Sequence, residues 1–274
     1  MPITVRLLCV MAACAWPLSL HAQAPIPDLS GFWQHGVPDF IYKDPPSGAG
    51  PVKRTGVPDS YGENNHYQGD YKSPMLKSWA ADAVKEAAQR DIAGLPESTP
   101  QATCRPGGVP GSLLYLRPVQ FVQQQDRVTI LYQFDHQSRT VFLNRPHSRN
   151  IKPSWYGESI GHYEGDTLIV DTIGMNDEGW VDHLGTPHTD QIHVVERYRV
   201  VNKGTTLEVN FTVDDPGAFN WPWSAILRYG RAPSDVRQID EEVCAENNGF
   251  HGMAPPTADV DPISGKKMTR RDPS

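Results

Sequence analysis

From residue 118 onward, apolar and polar side chains alternate in short runs separated by turn formers, which is the period of a β-strand. The pattern predicts strands over 118–124, 127–134, 138–143, 157–163, 167–173, 191–200, 205–213, 223–230 and 236–243. Gln125-Asp126, Glu164-Gly165-Asp166 and Asn202-Lys203-Gly204 supply tight turns between neighbouring runs. Many short strands with local turns predict a mainly β domain. The expected form is an antiparallel lipocalin-like barrel or a strongly curved sheet, with a two-sheet β-sandwich as the alternative.

Only 74–92 carries a helical period. Leu76, Trp79, Ala80, Ala83 and Ala87 form one apolar stripe, Ser73 is placed to cap it, and Pro74 suits a first helical position. This single N-terminal helix is expected to pack on the barrel through that stripe. Asp28 to Trp33 reads as a first strand with Trp33 in the core. Residues 38–69 show little periodicity and many turn formers. The chain thus divides into a leader (1–24), a loop-rich wrap (25–73), one β domain with its helix (74–250) and a C-terminal tail (251–274).

Alternation also says which side chains face inward. In 191–200, Ile192, Val194, Glu196, Tyr198 and Val200 share one face, and His193, Val195, Arg197 and Arg199 share the other. The apolar face belongs inside, so Glu196 is expected among aliphatics. A buried carboxylate either has a partner, such as an arginine on a neighbouring strand, or carries the raised pKa that a general acid or base uses. The runs Leu207-Val209-Phe211-Val213 and Val128-Ile130-Tyr132-Phe134 read as ordinary core faces.

The leader fixes the compartment. Arg6, the apolar run Leu7 to Leu20 and the small-x-small pattern at Ala22-Gln23-Ala24 read as a signal peptide cleaved near Ala24. No later segment is apolar enough for a bilayer span, so stable membrane insertion is not expected. The expected location is periplasmic or secreted. Loss of Arg6 with the leader takes the formal net charge from −7 to about −8, which disfavours nucleic acid, whose phosphates need a basic surface. Cys9 and Cys14 leave with the leader, and the remaining pair, Cys104 and Cys244, is expected to form a disulfide in an oxidising compartment.

Candidate chemistry concentrates at His188-x-Asp190-x-x-His193-x-x-Glu196, where a loop enters a strand. His188, Asp190, His193 and Glu196 are the candidate catalytic set. Such groups carry protons or ligate metals, but strand period puts His193 and Glu196 on opposite faces, against one shared ion. No cofactor is expected, with a metal ion at this cluster the alternative. Tyr156, Tyr163, Asp171, Trp180 and Arg197 are candidate ligand contacts; Asp171 ends a strand that feeds the long loop 172–190, where sites commonly sit. G-x-G-x-x-G and P-loop patterns are absent from the sequence.

Ser159-Ile160-Gly161-His162-Tyr163-Glu164-Gly165-Asp166-Thr167-Leu168-Ile169-Val170-Asp171-Thr172 resembles the S-I-G-x-W-E-G-D-T-L-V-V-D-T block of a large family of exported bacterial proteins of unassigned function. Pro187-His188-Thr189-Asp190 through Glu196-Arg197 resembles its P-H-S-D-A-L-H-V-x-E-R block. Cys104-Arg105-Pro106-Gly107-Gly108-Val109-Pro110, Asp214-Asp215-Pro216 with Pro222-Trp223, and Cys244-Ala245-Glu246-Asn247-Asn248 are similar to further blocks. The resemblance spans roughly 74–250 and supports one domain there. Tyr163 stands where the block has tryptophan.

Together these features point to an exported enzyme using general acid/base catalysis on a small organic, phenolic or carbohydrate ligand in a barrel mouth. Hydrolysis, elimination and isomerisation all fit. Glu196 would be the tuned carboxylate, His188 or His193 its proton partner, Asp190 an orienting group and Arg197 an anion contact. The alternatives are a non-catalytic binder of a small molecule and a metal-dependent enzyme.

Overall fold

The computed structural model describes residues 26–34, 50–54, 67–92, 100, 103–115, 117–182 and 184–244. The leader, most of the expected wrap and the tail lie outside them. Its strands in chain order are β1 (Gly31–Gln34), β2 (Val52–Arg54), β3 (Tyr67–Gly69), β4 (Val119–Gln123), β5 (Arg127–Tyr132), β6 (Ser138–Leu143), β7 (Glu158–Glu164), β8 (Thr167–Ile173), β9 (His193–Val201), β10 (Thr206–Asp214) and β11 (Trp223–Arg231). Among the described residues one α-helix, α1 (Ser78–Ile92), precedes β4.

Nine of these strands close into a barrel in the order β1-β11-β10-β9-β8-β7-β6-β5-β4, and β2 pairs with β3 apart from it. Closure removes the sandwich alternative. It depends on the short β1, which pairs antiparallel with β11 through Trp33↔Arg231 and with β4 through Gly31↔Phe121. Trp33 points into the core, fully buried, and its indole N–H donates to Leu29 O at 2.8 Å.

The expected strand at 236–243 does not form. Its apolar residues Val236, Ile239 and Val243 are spaced by three and four rather than two, so no face exists to bury. The segment is instead pinned beside the start of β4 and the end of β5 by Arg117 Nε and Gln133 Nε2, 2.6 Å and 3.2 Å from Glu242 Oε2, and by the Cys104–Cys244 disulfide, whose Cα atoms are 5.5 Å apart. β6 and β7 pair parallel, with Val141↔Ser159 and Leu143↔Gly161. The other pairs in the barrel are antiparallel. A parallel pair needs a long return connection, and residues 144–157 provide it.

The helix differs from its expected form. It starts at Ser78, not Pro74, because the preceding turn is captured by the β10–β11 loop: Lys77 N donates to Ala218 O at 2.8 Å and Asn220 Nδ2 to Pro74 O at 2.9 Å. Its buried face is Ala80 and Val84, one turn apart, while Trp79 is exposed and donates its Nε1–H to Gly217 O. Gly69 of β3 meets Val84, and Gly185 meets Ala87, so the helix packs on β3 and on the β8–β9 loop. Both glycines permit that approach because a Cβ at either would strike the helix.

The interior is built from the faces the alternation assigned. Val128, Ile130 and Tyr132 of β5, Val194 and Tyr198 of β9, and Leu207, Val209, Phe211 and Val213 of β10 are all buried. Among the described residues no helix is long and apolar enough to cross a membrane. The disulfide fits an oxidising compartment outside the cytoplasm.

Candidate functional site

Strand period separates the chemistry of β9 onto two sides of one wall. Glu196 faces the interior and is fully buried. Arg139, itself buried, donates Nη1 to Glu196 Oε1 at 2.9 Å and Nη2 to Oε2 at 2.5 Å. Tyr198 Oη donates to Oε1 at 2.6 Å. The same guanidinium donates Nε to Ser159 Oγ (2.9 Å) and Nη2 to Thr172 Oγ1 (2.6 Å). Burial opposes the charge on Arg139, but the Glu196 carboxylate outweighs it and holds the guanidinium well above its ordinary pKa. Glu196 therefore stands as half of a buried, hydrogen-bonded ion pair, the structural alternative that its apolar setting allowed. Arg139 is not among the candidate residues read from the sequence. The signal was present, since alternation in β6 puts it on the face of Val141 and Leu143.

His193 faces outward, where it meets Asp171 of β8. His193 Nε2 lies 3.0 Å from Asp171 Oδ1, and His147 Nε2 lies 3.0 Å from the same oxygen. His147 Nδ1 is in turn 3.1 Å from Glu158 Oε2. Ser148 fixes Glu158 from the same connection, through N to Oε2 (2.7 Å) and Oγ to Oε1 (2.6 Å). Partial burial pushes the Glu158 carboxyl up, but the Ser148 and His147 hydrogen bonds outweigh it and hold the group below the usual glutamate value. The His193 and Asp171 side chains are 40% and 39% exposed, so solvent and solutes reach this half of the chain of groups. His147 lies in a connection with no periodic signal, which is why only His193 and Asp171 were legible here.

The other candidates lie elsewhere. His188 is buried, its Nδ1 3.0 Å from Thr189 O and its ring against Gly179. Burial pushes its pKa down, opposed in part by the Thr189 carbonyl and the charge of Asp215. Asp215 clamps that loop, accepting from Thr189 N (2.6 Å), Thr189 Oγ1 (2.7 Å) and Gly217 N (2.9 Å). Asp190 is exposed in the turn before β9, and Arg197 is exposed on the outer face of β9. The set His188, Asp190, His193 and Glu196 is thus not brought together. Trp180 lies partly buried in the β8–β9 loop, bridged to Pro187. Tyr156 precedes β7, its ring stacked on Tyr132, and Tyr163 lies near the far end of that strand. Tyr163 Oη accepts from Gln123 Nε2 at 2.8 Å.

Among the described residues no group of three or more His, Cys, Asp or Glu side chains is arranged to hold a metal ion. No family model and no curated protein matches the chain. A solved structure described as "REP1-NXSQ fatty acid transporter" matches 43% of this chain and 72% of its own, at 11% identity and a TM-score of 0.28. At that TM-score the likeness adds nothing to the closed barrel seen directly.

Proposed function

We propose that the chain is an exported acid/base enzyme whose proton carrier is His193, on the outer wall of the barrel, and not Glu196. One observation carries the reading: a single carboxylate oxygen, Asp171 Oδ1, holds the Nε2 atoms of two histidines. With its Nε2–H donated to Asp171, His193 keeps a lone pair on Nδ1. A carboxylate that fixes the tautomer and offsets the imidazolium is what a histidine general base requires. The base takes a proton from a substrate hydroxyl or activated C–H, and the new charge on His193 sits beside Asp171. His147 and Glu158 hold Asp171 in place from the loop side. Small organic substrates open to hydrolysis, elimination or isomerisation suit such a site.

The test is a panel of phenyl esters, aryl glycosides and small hydroxy and keto acids, assayed on the native protein, His193→Asn and Asp171→Asn. The expected outcome is turnover of at least one substrate class. It should fall about 100-fold or more in His193→Asn with an unchanged melting temperature. Full turnover in His193→Asn would overturn the assignment. Silence across the panel, with binding by native mass spectrometry, would favour the non-catalytic binder.

A further inference from the structure

His193 and Arg197 share the outer face of β9 and flank Val195, the residue paired with Asp171 of β8. Both are therefore diagonal neighbours of Asp171, with Cα atoms about 7–8 Å from its own, within reach of a long side chain. His193 takes up that contact and Arg197 does not. Directly opposite Arg197 stand Ile169 on β8 and Asn210 on β10, neither of which carries charge. The carboxylates diagonal to it or one strand step beyond are committed to other cations. Asp171 Oδ1 holds His147 and His193. Glu208 Oε2 accepts from Arg228 Nε (2.8 Å) and Nη2 (2.6 Å), and Asp166 Oδ2 accepts from Arg199 Nε at 2.8 Å. Among the described residues no carboxylate forms an ion pair with Arg197, which is exposed. Its planar fork of donors is open to an anion from solution, and a carboxylate matches that fork at two points. The floor beside Asp171 is apolar, since Val195 on one side and Ile160 of β7 on the other are both partly exposed.

We infer that Arg197 selects the substrate of the His193 base, a small hydroxy or keto carboxylic acid. Its carboxylate lies on Arg197, its hydrocarbon over Val195, and its reacting O–H or C–H faces His193. The four-residue step from His193 to Arg197, about 13 Å at the rise of a strand, is spanned by the two side chains and a molecule of a few carbons. The substrate class rests on the acid/base reading, whereas the anion contact stands apart from it.

The experiment titrates ¹⁵N-labelled protein with mandelate and with methyl mandelate, its uncharged ester, following the β9 amides and the arginine Nε–H signals. Native protein should bind mandelate about fivefold more tightly than the ester, the upper end for an exposed ion pair. Arg197→Gln should lose that preference. Arg199→Gln, which removes the same formal charge from the same face, should keep it, and so should His193→Asn. Equal binding of the two probes, binding of neither, a preference that survives Arg197→Gln, or one that falls equally in Arg199→Gln overturns the inference. Turnover separates this inference from the reading it deepens. Hydroxy or keto acids turned over by the native protein, with KM raised about fivefold in Arg197→Gln, support both. Turnover confined to uncharged esters and glycosides, unchanged in Arg197→Gln, keeps His193 as the base and overturns the role of Arg197. A carboxylate preference carried by Arg197 without turnover of any acid supports the anion contact and overturns the acid/base reading.

Discussion

Arg139 on β6 reaches Glu196 on β9 across two intervening strands and bonds both of its carboxylate oxygens. On the way the guanidinium takes one hydroxyl from each strand between them, Ser159 of β7 and Thr172 of β8. The pair therefore ties four consecutive strands from the inside. It crosses the β6–β7 seam, where the parallel register spans only Val141–Leu143 against Ser159–Gly161.

Removing one partner should cost far more than removing both. Glu196→Gln leaves the Arg139 charge buried without its counter-ion, and about 3–5 kcal/mol of stability should be lost. The double variant Arg139→Met/Glu196→Leu strands no charge and should recover most of that loss. Urea unfolding of the three proteins checks this. A Glu196→Gln protein as stable as the native one would show that the pair does not hold the barrel.

Alternation made eight of the nine barrel strands legible within a few residues, along with the inward face of β9 that buries Glu196. It failed at 236–243, where the apolar residues lack period two; the first strand was expected at Asp28 to Trp33 with Trp33 in the core, but not that this four-residue β1 would close the barrel. The helix start was expected one turn too early, at Pro74, because the capture of Lys77 and Pro74 by the Ala218–Asn220 loop is a tertiary event. The candidate site was legible by halves. His193 and Asp171 stand on strands whose faces can be counted, whereas His147 comes from a connection whose path only the fold decides. Arg139 was missed although the reasoning that found Glu196 applies to it unchanged.

The Cys104–Cys244 bridge closes a loop of 140 residues. In the chain-entropy picture such a loop is worth about 5 kcal/mol, an upper bound because the unbridged chain retains structure. Cys104→Ser/Cys244→Ser should lower the urea midpoint substantially, and dithiothreitol should do the same to the native protein while leaving the variant unchanged. Unaltered midpoints in both would mean that hydrogen bonds such as those of Arg117 and Gln133 to Glu242 and of Cys244 N to Asp135 secure the segment after β11 without the bridge.

His188 gives stability a pH dependence of known sign. Its folded pKa lies below the ordinary histidine value because of burial. The unfolded chain therefore binds the proton more readily, and stability rises with pH across the interval between the two values. The contribution is fully present above the unfolded value. It diminishes as pH falls from there and levels off below the folded value. Between pH 7.5 and 5.5 the native urea midpoint should fall, and His188→Asn should show a shallower fall. Parallel slopes for the two proteins would rule out His188 as the origin.

Glu158 behaves in the opposite sense to a buried, unpartnered acid, and Ser148 is the reason. Its folded pKa is depressed by the Ser148 Oγ and N donors and by His147, against the upward push of partial burial. The stabilisation is present above the unfolded glutamate value and is lost as pH falls through the lower folded one. Ser148→Ala removes the Oγ donor while keeping the backbone donor, so the Glu158 midpoint should move upward without reaching the unfolded value. Carbon-detected NMR of the side-chain carboxyl reads this directly. An unshifted midpoint in Ser148→Ala would place the depression on the backbone N–H and His147. His147→Gln would then be the variant expected to raise it and to loosen Asp171 from His193.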